Sequence, residues 1–319
     1  MWAMIRFISI RLAEGAVTLL LSSLLIFGAL YLAPGDPLGY LVGNRTLAPE
    51  AIAALRQHYH LDDPFFTRWF SWLGDVLTGQ LGQSITYRDD VSNLLGPRLV
   101  TTASLVAYSM VVIVVVGVGL GIVAALARRT VSDVILGLTS VGVAVPSFVA
   151  AAVLIFTFSV TLRWFPTFGS GEGVIDRLHH LTLPVLALTL ASGSYVIRVT
   201  RAALREEAAR DHVRSAVARG LPRRTIVTKH ILRNGLTPVA TVVGLTLTSL
   251  VVGSVVIERA FALDGIGSLL TEAVAKKDFA VVQAVSLVLI TVIVVVVLAV
   301  DLLQVVIDPR VRHRFGIDA

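Results

Sequence analysis

Residues 211–222 read Asp-His-Val-Arg-Ser-Ala-Val-Ala-Arg-Gly-Leu-Pro, and the rest of the chain is arranged around them. The stretch carries the signals of a short, free-standing helix. Asp211 is placed to cap the first turn, where a carboxylate accepts unpaired backbone N–H groups and meets the positive end of the helix dipole. Arg219 sits in the last turn with the opposite charge preference, Gly220 suits the left-handed closing position, and Pro222 forbids continuation. Roughly nine residues predict a rod about 13 Å long. Val213, Ala216, Val217 and Gly220 recur at i, i+3, i+4 and i+7, which predicts one apolar, low-profile face able to enter a groove on another protein.

What flanks this rod is very hydrophobic. The chain has 319 residues, 55% hydrophobic and 15% charged, where soluble domains carry about 25% charged residues. Cysteine is absent, which removes disulfide and thiol chemistry. The net charge of +6 is concentrated: residues 198–233 hold nine Arg and Lys229 against Glu206, Glu207 and Asp211, a local net of +7. A basic loop between apolar spans is the positive-inside pattern rather than a nucleic-acid face.

Six segments lack acidic and basic residues and are long enough, or nearly so, to cross a bilayer: 15–35, 99–127, 134–162, 181–197, 234–257 and 279–300, against a need of about 20 residues. The fourth is the shortest and contains Pro184. With the N-terminus inside, the inner pieces hold 17 of the 27 basic residues, among them Arg6, Arg11, Arg128, Arg129, Arg310, Arg312 and Arg314. An even number of spans then puts both termini on the cytoplasmic side. The expected division is 1–35 for the first span, 36–98 for an outer segment, 99–307 for a five-span core containing the 211–221 rod, and 308–319 for a tail.

The outer segment opens with Pro34-Gly35-Asp36-Pro37 and continues through a predicted short helix over 48–56. Asp62-Asp63-Pro64 then precedes an aromatic run, Phe65, Phe66, Trp69, Phe70 and Trp72. Such a run suits a helix lying at the membrane interface or one packed on the bundle. Gly169-Ser170-Gly171 marks a second outer loop, and residues 263–270 read as a turn leading into a short amphipathic helix.

Catalytic signatures are missing. None of the three lysines, Lys229, Lys276 and Lys277, follows a glycine, which excludes a P-loop. There is no His-Glu pair of a zinc protease and no Gly-x-Ser-x-Gly elbow. His58/His60 and His179/His180 read as interfacial histidines rather than a metal set. No acidic or basic residue lies within the six segments, whereas ion-coupled transporters place such groups near mid-membrane. An energy source in another chain, acting through the basic loop, follows. Ser109, Ser140, Thr189, Ser192, Thr246 and Ser249 are of a size to line a path through the membrane, or equally to sit at helix contacts; none is assigned to substrate.

The 211–221 stretch resembles the cytoplasmic coupling loop of type I ABC importer permeases in its peptide-branch form, Asp-Tyr-Val-Arg-Thr-Ala-Arg-Ala-Lys-Gly-Leu. Asp211, Val213, Arg214, Ala216, Ala218, Gly220 and Leu221 match in register, with His212, Ser215, Val217 and Arg219 as departures. Arg214-Ser215-Ala216 stands where the general motif has Glu-Ala-Ala, and the literal Glu207-Ala208-Ala209 lies upstream. Further matches run along nearly the whole chain, including Pro146-Ser147-Phe148, Thr200-Arg201, Gly265-Ile266-Gly267, Asp278-Phe279 and Asp308-Pro309-Arg310. The chain is similar to B-type permease subunits of dipeptide/oligopeptide importers, with nickel-importer permeases close by, so nickel or another small solute such as haem is the alternative cargo.

The resemblance implies an all-α membrane protein of six transmembrane helices with a cytoplasmic coupling helix and an extracytoplasmic insert after the first span. It implies a bacterial inner-membrane location, a second, C-type permease, two ATP-binding subunits that hold ATP and Mg, and an extracytoplasmic solute-binding protein. Coupling contacts would come from Asp211, Val213, Arg214, Ala216, Val217, Arg219, Gly220 and Leu221, and binding-protein contacts from Asp264, Gly265, Ile266 and Gly267. No cofactor or metal is expected in the chain itself, no nucleic-acid partner, and no enzymatic activity.

Overall fold

Inside a bilayer every backbone N–H and C=O must find its partner within the protein, so apolar runs of this length have helix as their outcome. The computed structural model describes residues 2–32, 50 and 63–307. Among these, helix is the regular structure, with one isolated antiparallel bridge between Gln83 and Asp90. In chain order the helices are α1 (Trp2–Tyr31), α2 (Phe65–Leu77), α3 (Val91–Leu126), α4 (Arg129–Ala144), α5 (Ser147–Thr161), α6 (Gly173–Ala208), α7 (Asp211–Ala218), α8 (223–235), α9 (Thr237–Ala260), α10 (Ile266–Lys276) and α11 (Phe279–Ile307).

The hub is α6, a helix of 36 residues against which α3, α4, α5 and α9 all lie. Lipid tails are as apolar as the side chains they would replace, so helices associate in a membrane through close packing rather than through the hydrophobic effect. Glycine supplies that closeness here. A Cβ on Gly121 of α3 would fall 2.5 Å from Thr200 Cβ, and one on Gly117 would fall 3.1 Å from Val196 Cγ1. Gly142 of α4 sits against Ser194 and the Leu190 carbonyl in the same way. Around these contacts Leu105 and Ile113 of α3, Leu183, Leu188 and Val196 of α6, and Leu250 and Ile257 of α9 form the main buried cluster. A second clip joins α4 to α6 at hydroxyls: Arg198 donates to Thr139 and Ser140 (3.0 and 2.6 Å), and Arg201 donates to Ser132 (2.7 Å).

The helices α6 and α9 run antiparallel. At one end Gly169 N donates to Phe261 O (3.2 Å), and at the other Gly235 meets Leu204. The Arg11–Asp301 ion pair (3.2 Å) joins α1 to α11, and the start of α1 and the end of α11 lie at the α7 end of the bundle.

Among the described residues five helices are long and apolar enough to span, and the bent pair α4–α5 makes a sixth crossing when counted as one span. The expected single span over 134–162 is instead α4 and α5 meeting at 103°. Pro146 lacks an N–H and drives the residue before it out of the helical region, and Val145 has ψ 120°. The weakest span by hydropathy proves to be as long as α3, 36 residues, and the most enclosed: 61% of its most apolar stretch is buried, against 11–28% for the other four. A helix surrounded by protein needs small and hydroxyl residues more than lipid-facing bulk, which explains its low hydropathy. The expected 98/99 division falls inside α3, which begins at Val91. The predicted helix at 48–56, Pro34–Pro37, His58, His60 and the 308–319 tail lie outside the described residues.

The packing makes a paired prediction about two nearby glycines. Gly121→Ala forces a Cβ into Thr200 and should destabilise the detergent-solubilised protein by about 1–3 kcal/mol. Gly119→Ala has nothing within 4 Å and should leave stability unchanged or raise it by up to about 1 kcal/mol. Thermal unfolding of the two variants side by side decides the matter, and equal behaviour would refute the close-packing account.

Candidate functional site

The short rod forms as α7, Asp211–Ala218, but its cap is one residue earlier than expected. Arg210 holds the extended N-cap conformation (φ −72°, ψ 152°), and Asp211 is already inside the first turn. Its carboxylate is 98% exposed and lies 3.8 Å from Arg214. The shift has a cause in Glu207, on the last turn of α6. Arg210 Nε lies 3.0 Å from Glu207 Oε2, which draws the Arg210 backbone to the turn. The C-terminal end follows the expected stop. Gly220 is left-handed (φ +72°), Gly220 N donates to Val217 O (2.9 Å) and Leu221 N donates to Ala216 O (3.3 Å). This pair of bonds is the Schellman closure, and Arg219 is its C-cap.

The exposed face differs from the one the spacing suggested. Val213 and Ala216 are both 4% exposed, packed with Leu204 of α6 and with Ile226 and Ile231 of α8. A rod this short needs its own chain as a seat, and it spends its i, i+3 pair there. What it presents outward is Arg214, Val217, Ala218 and Leu221, again at i, i+3, i+4 and i+7, with Val217 60% exposed. Arg219 and Gly220 are exposed beside them.

Glu207 was passed over in the sequence because it lies outside the coupling register, yet it is the buried group that holds α7. Its side chain is 6% exposed and takes Arg210 at 3.0 Å and His212 Nε2 at 3.3 Å. The His212 ring lies 6.2 Å from that of His230 on α8, and Gly235 of α8 closes over the Glu207 Cβ. The usable signal was an acidic residue one turn before a basic cap, at the end of a span.

The opposite end of the bundle has a matching device. Glu258, in the last turn of α9 and fully buried, accepts bonds from Thr102 Oγ1 (2.7 Å), Gly267 N (2.8 Å) and Ser268 N (3.1 Å). Thr102 Oγ1 in turn accepts from Ile266 N (2.9 Å). The carboxylate thus satisfies the open N–H groups that begin α10. A Cβ on Gly265 would collide with that carboxylate. Of the four residues expected to face a docking protein, Gly265, Ile266 and Gly267 are buried around Glu258, and Asp264 alone is exposed. Their shared role in this chain is to close the turn.

A polar clip then ties residues 84–87 to this end. Asp278 Oδ2 accepts from Ser84 Oγ (2.6 Å) and Thr86 N (3.0 Å), and the Tyr87 hydroxyl donates to Glu272 Oε2 (2.8 Å). Lys276 donates to the other Glu272 oxygen (2.6 Å). Lys276 first, and Tyr87 second, hold the Glu272 carboxyl below its usual range. Burial first, and Glu272 second, push the Tyr87 hydroxyl up to about 12.

The paired histidines serve separately: His179 Nε2 lies 3.1 Å from Trp164 O, and His180 Nδ1 lies 3.0 Å from Asp176 O. Of the hydroxyls weighed for a path, Ser109 and Thr189 are buried, Thr246 donates back to Val242 O, and Ser140 receives Arg198.

Residues 117–313 match the family described as binding-protein-dependent transport system inner membrane component, and residues 4–106 match its N-terminal membrane-component companion. The chain belongs to this family. It is 35% identical over 312 residues to the oligopeptide transport system permease protein OppB of Salmonella typhimurium, covering 97% of this chain and 100% of that one. The same figures hold for OppB of Escherichia coli strain K12. Identity to the putative peptide permease protein BOV_A0351 of Brucella ovis is 34% over 317 residues, with 97% and 99% covered. Among solved structures, the inward-facing MetNI methionine ABC transporter overlays with a TM-score of 0.56 at 19% identity, across 67% of this chain and 96% of that one. That likeness is one of fold: this is an all-helical importer permease, a multi-pass inner-membrane component of the binding-protein-dependent family.

Two predictions follow from the two ends. Glu207→Ala removes the acceptor for Arg210 and His212, so amides 211–221 should exchange hydrogen at least tenfold faster while 266–276 are unchanged. Equal rates would remove Glu207 as the anchor of α7. At the α10 end, the Glu272 contribution is complete above the unfolded carboxyl value of about 4.3 and declines as pH falls through its lower folded value. The Tyr87 contribution is complete below the unfolded value of about 10 and is lost as pH rises towards the folded one. The difference in melting temperature between wild type and Tyr87→Phe should therefore be flat from about pH 5 to 9 and shrink on both flanks. A difference that grows above pH 10 would contradict this.

Proposed function

We propose that this chain is the membrane half-channel of an ATP-driven peptide importer. In this reading α7 is the coupling helix. Its seat on α6 and α8 makes it part of the bundle, and its outward face of Arg214, Val217, Ala218 and Leu221 enters a cleft on an ATP-binding subunit. Asp211, Arg219 and Gly220 flank that contact, while Val213 and Ala216 carry the motion inward to Leu204 and Ile231. The observation that supports the reading best is this outward face on a Schellman-closed rod. The near full-length identity to permeases named for oligopeptides and peptides supports peptide as cargo.

The rest of the assembly follows by the same inference. A second, C-type permease completes the path, and two ATP-binding subunits hold ATP and Mg and perform hydrolysis, so this chain is a translocation subunit and not an enzyme. The basic α7 end, with the start of α1 and the end of α11, faces the cytoplasm. A solute-binding protein docks at the other end, where Asp264 is exposed and Glu258 fixes the α9–α10 turn around it. Closure of the ATPases displaces α7, and the rigid α6 transmits that displacement towards the kinked α4–α5 pair.

The test is reconstitution of the chain with its neighbouring permease, ATPases and binding protein in liposomes, with uptake of labelled di- to tetrapeptides followed with and without ATP. Expected is ATP-dependent peptide uptake that falls at least tenfold in Gly220→Val, because a β-branched residue is strained at φ +72°, and in Val217→Trp, which fills the docking face. Insertion and assembly should persist in both. Uptake independent of the ATPases would sink the mechanism, and ATP-driven uptake of nickel or haem with no peptide signal would move the cargo.

A further inference from the structure

The helix α2 leaves an apolar strip uncovered. At about 100° per residue, its apolar side chains fill one continuous arc and its polar ones, Thr67, Arg68, Ser71 and Asp75, fill the opposite arc. Only part of the apolar arc is used by the bundle. Trp69 is buried and its Nε1 donates to Ser23 Oγ of α1 (3.3 Å), and Phe65 and Trp72 pack on Phe27 at ring separations of 5.4 and 5.7 Å. The remainder, Phe66, Phe70 and Leu77, is 61%, 61% and 81% exposed. These three residues lie along one line, at i, i+4 and i+11.

The place of α2 along α1 says what meets this strip. Over residues Ile5–Ala29 of α1 only Phe7, Ser23 and Phe27 are buried, and the outward Val17, Leu20, Leu21 and Leu25 are 46–72% exposed, as a lipid-facing span requires. Ser23 and Phe27, the residues that hold α2, lie within the apolar segment 15–35, in the half of α1 away from Arg6 and Arg11. The exposed strip therefore continues the lipid-facing surface of α1. We infer that α2 is a lipid-facing helix, one flank on α1 and the other, Phe66, Phe70 and Leu77, among the acyl chains of the phospholipid leaflet on the half of α1 away from α7. It fixes the height at which the following 79–90 hairpin, and through Ser84 and Tyr87 the α10 end, stands over the membrane. The inference rests on the membrane fold alone and is independent of the cargo.

The absence of native cysteine makes the test direct. Phe66→Cys, Phe70→Cys and, on the polar arc, Ser71→Cys are introduced singly into the full chain, labelled with an environment-sensitive fluorophore and reconstituted in phosphatidylcholine/phosphatidylglycerol vesicles. Lipids carrying a nitroxide high on the acyl chain are then added. Expected is quenching at least twofold stronger at 66 and 70 than at 71. Blue-shifted emission at 66 and 70 without lipid quenching would mean that protein covers the strip, and equal quenching at all three positions would mean that α2 has no membrane face; either result overturns the inference.

Discussion

Close approach to α6 is the constraint on which the bundle depends. In lipid there is little gain in hiding one apolar surface against another, so the stabilising term is the density of contact that two backbones can reach. Gly117 and Gly121 of α3 and Gly142 of α4 let those helices sit on Val196, Thr200 and Ser194 of α6. Everything else takes its position from that arrangement: α9 lies antiparallel along the same helix, and α4–α5 can bend at Pro146 because both arms rest on α6.

The two short helices outside the bundle are fixed by a common device. Each follows a long span whose last turn holds a buried glutamate, Glu207 before α7 and Glu258 before α10. Burying a carboxylate is costly unless its lone pairs are filled. At one end Arg210 and His212 fill them, and at the other Thr102 and the first N–H groups of α10 do. The difference in partners suits the difference in task. A charged clasp at α7 holds a rod with an exposed outward face, whereas the backbone cradle at α10 closes a turn against α3.

Much of the architecture was legible as pattern. The number and order of spans, the short rod closed by Gly220 and Pro222, and the amphipathic helix after residue 265 all follow from hydropathy, capping chemistry and steric rules that act within a few residues. Legibility failed where the deciding contact is distant in sequence. Val213 and Ala216 looked available to a partner because nothing nearby shows that Leu204 and Ile231 will claim them. Gly265, Ile266 and Gly267 looked like an exposed turn because their partner, Glu258, belongs to the preceding span. The α6 span looked weakest because hydropathy measures fitness for lipid, and α6 is mostly enclosed by protein.

By itself, then, the sequence determined that this chain crosses a membrane several times, which loop is basic, and where a short rod must start and stop, because those properties are summed from local transfer energies and backbone preferences. Tertiary structure alone decided which face of the rod is free, which carboxylates are buried, and how the aromatic run of α2 is shared between α1 and its surroundings. Those outcomes depend on which helices touch, and in a bundle held by close packing that is set by the fit of surfaces far apart in the chain.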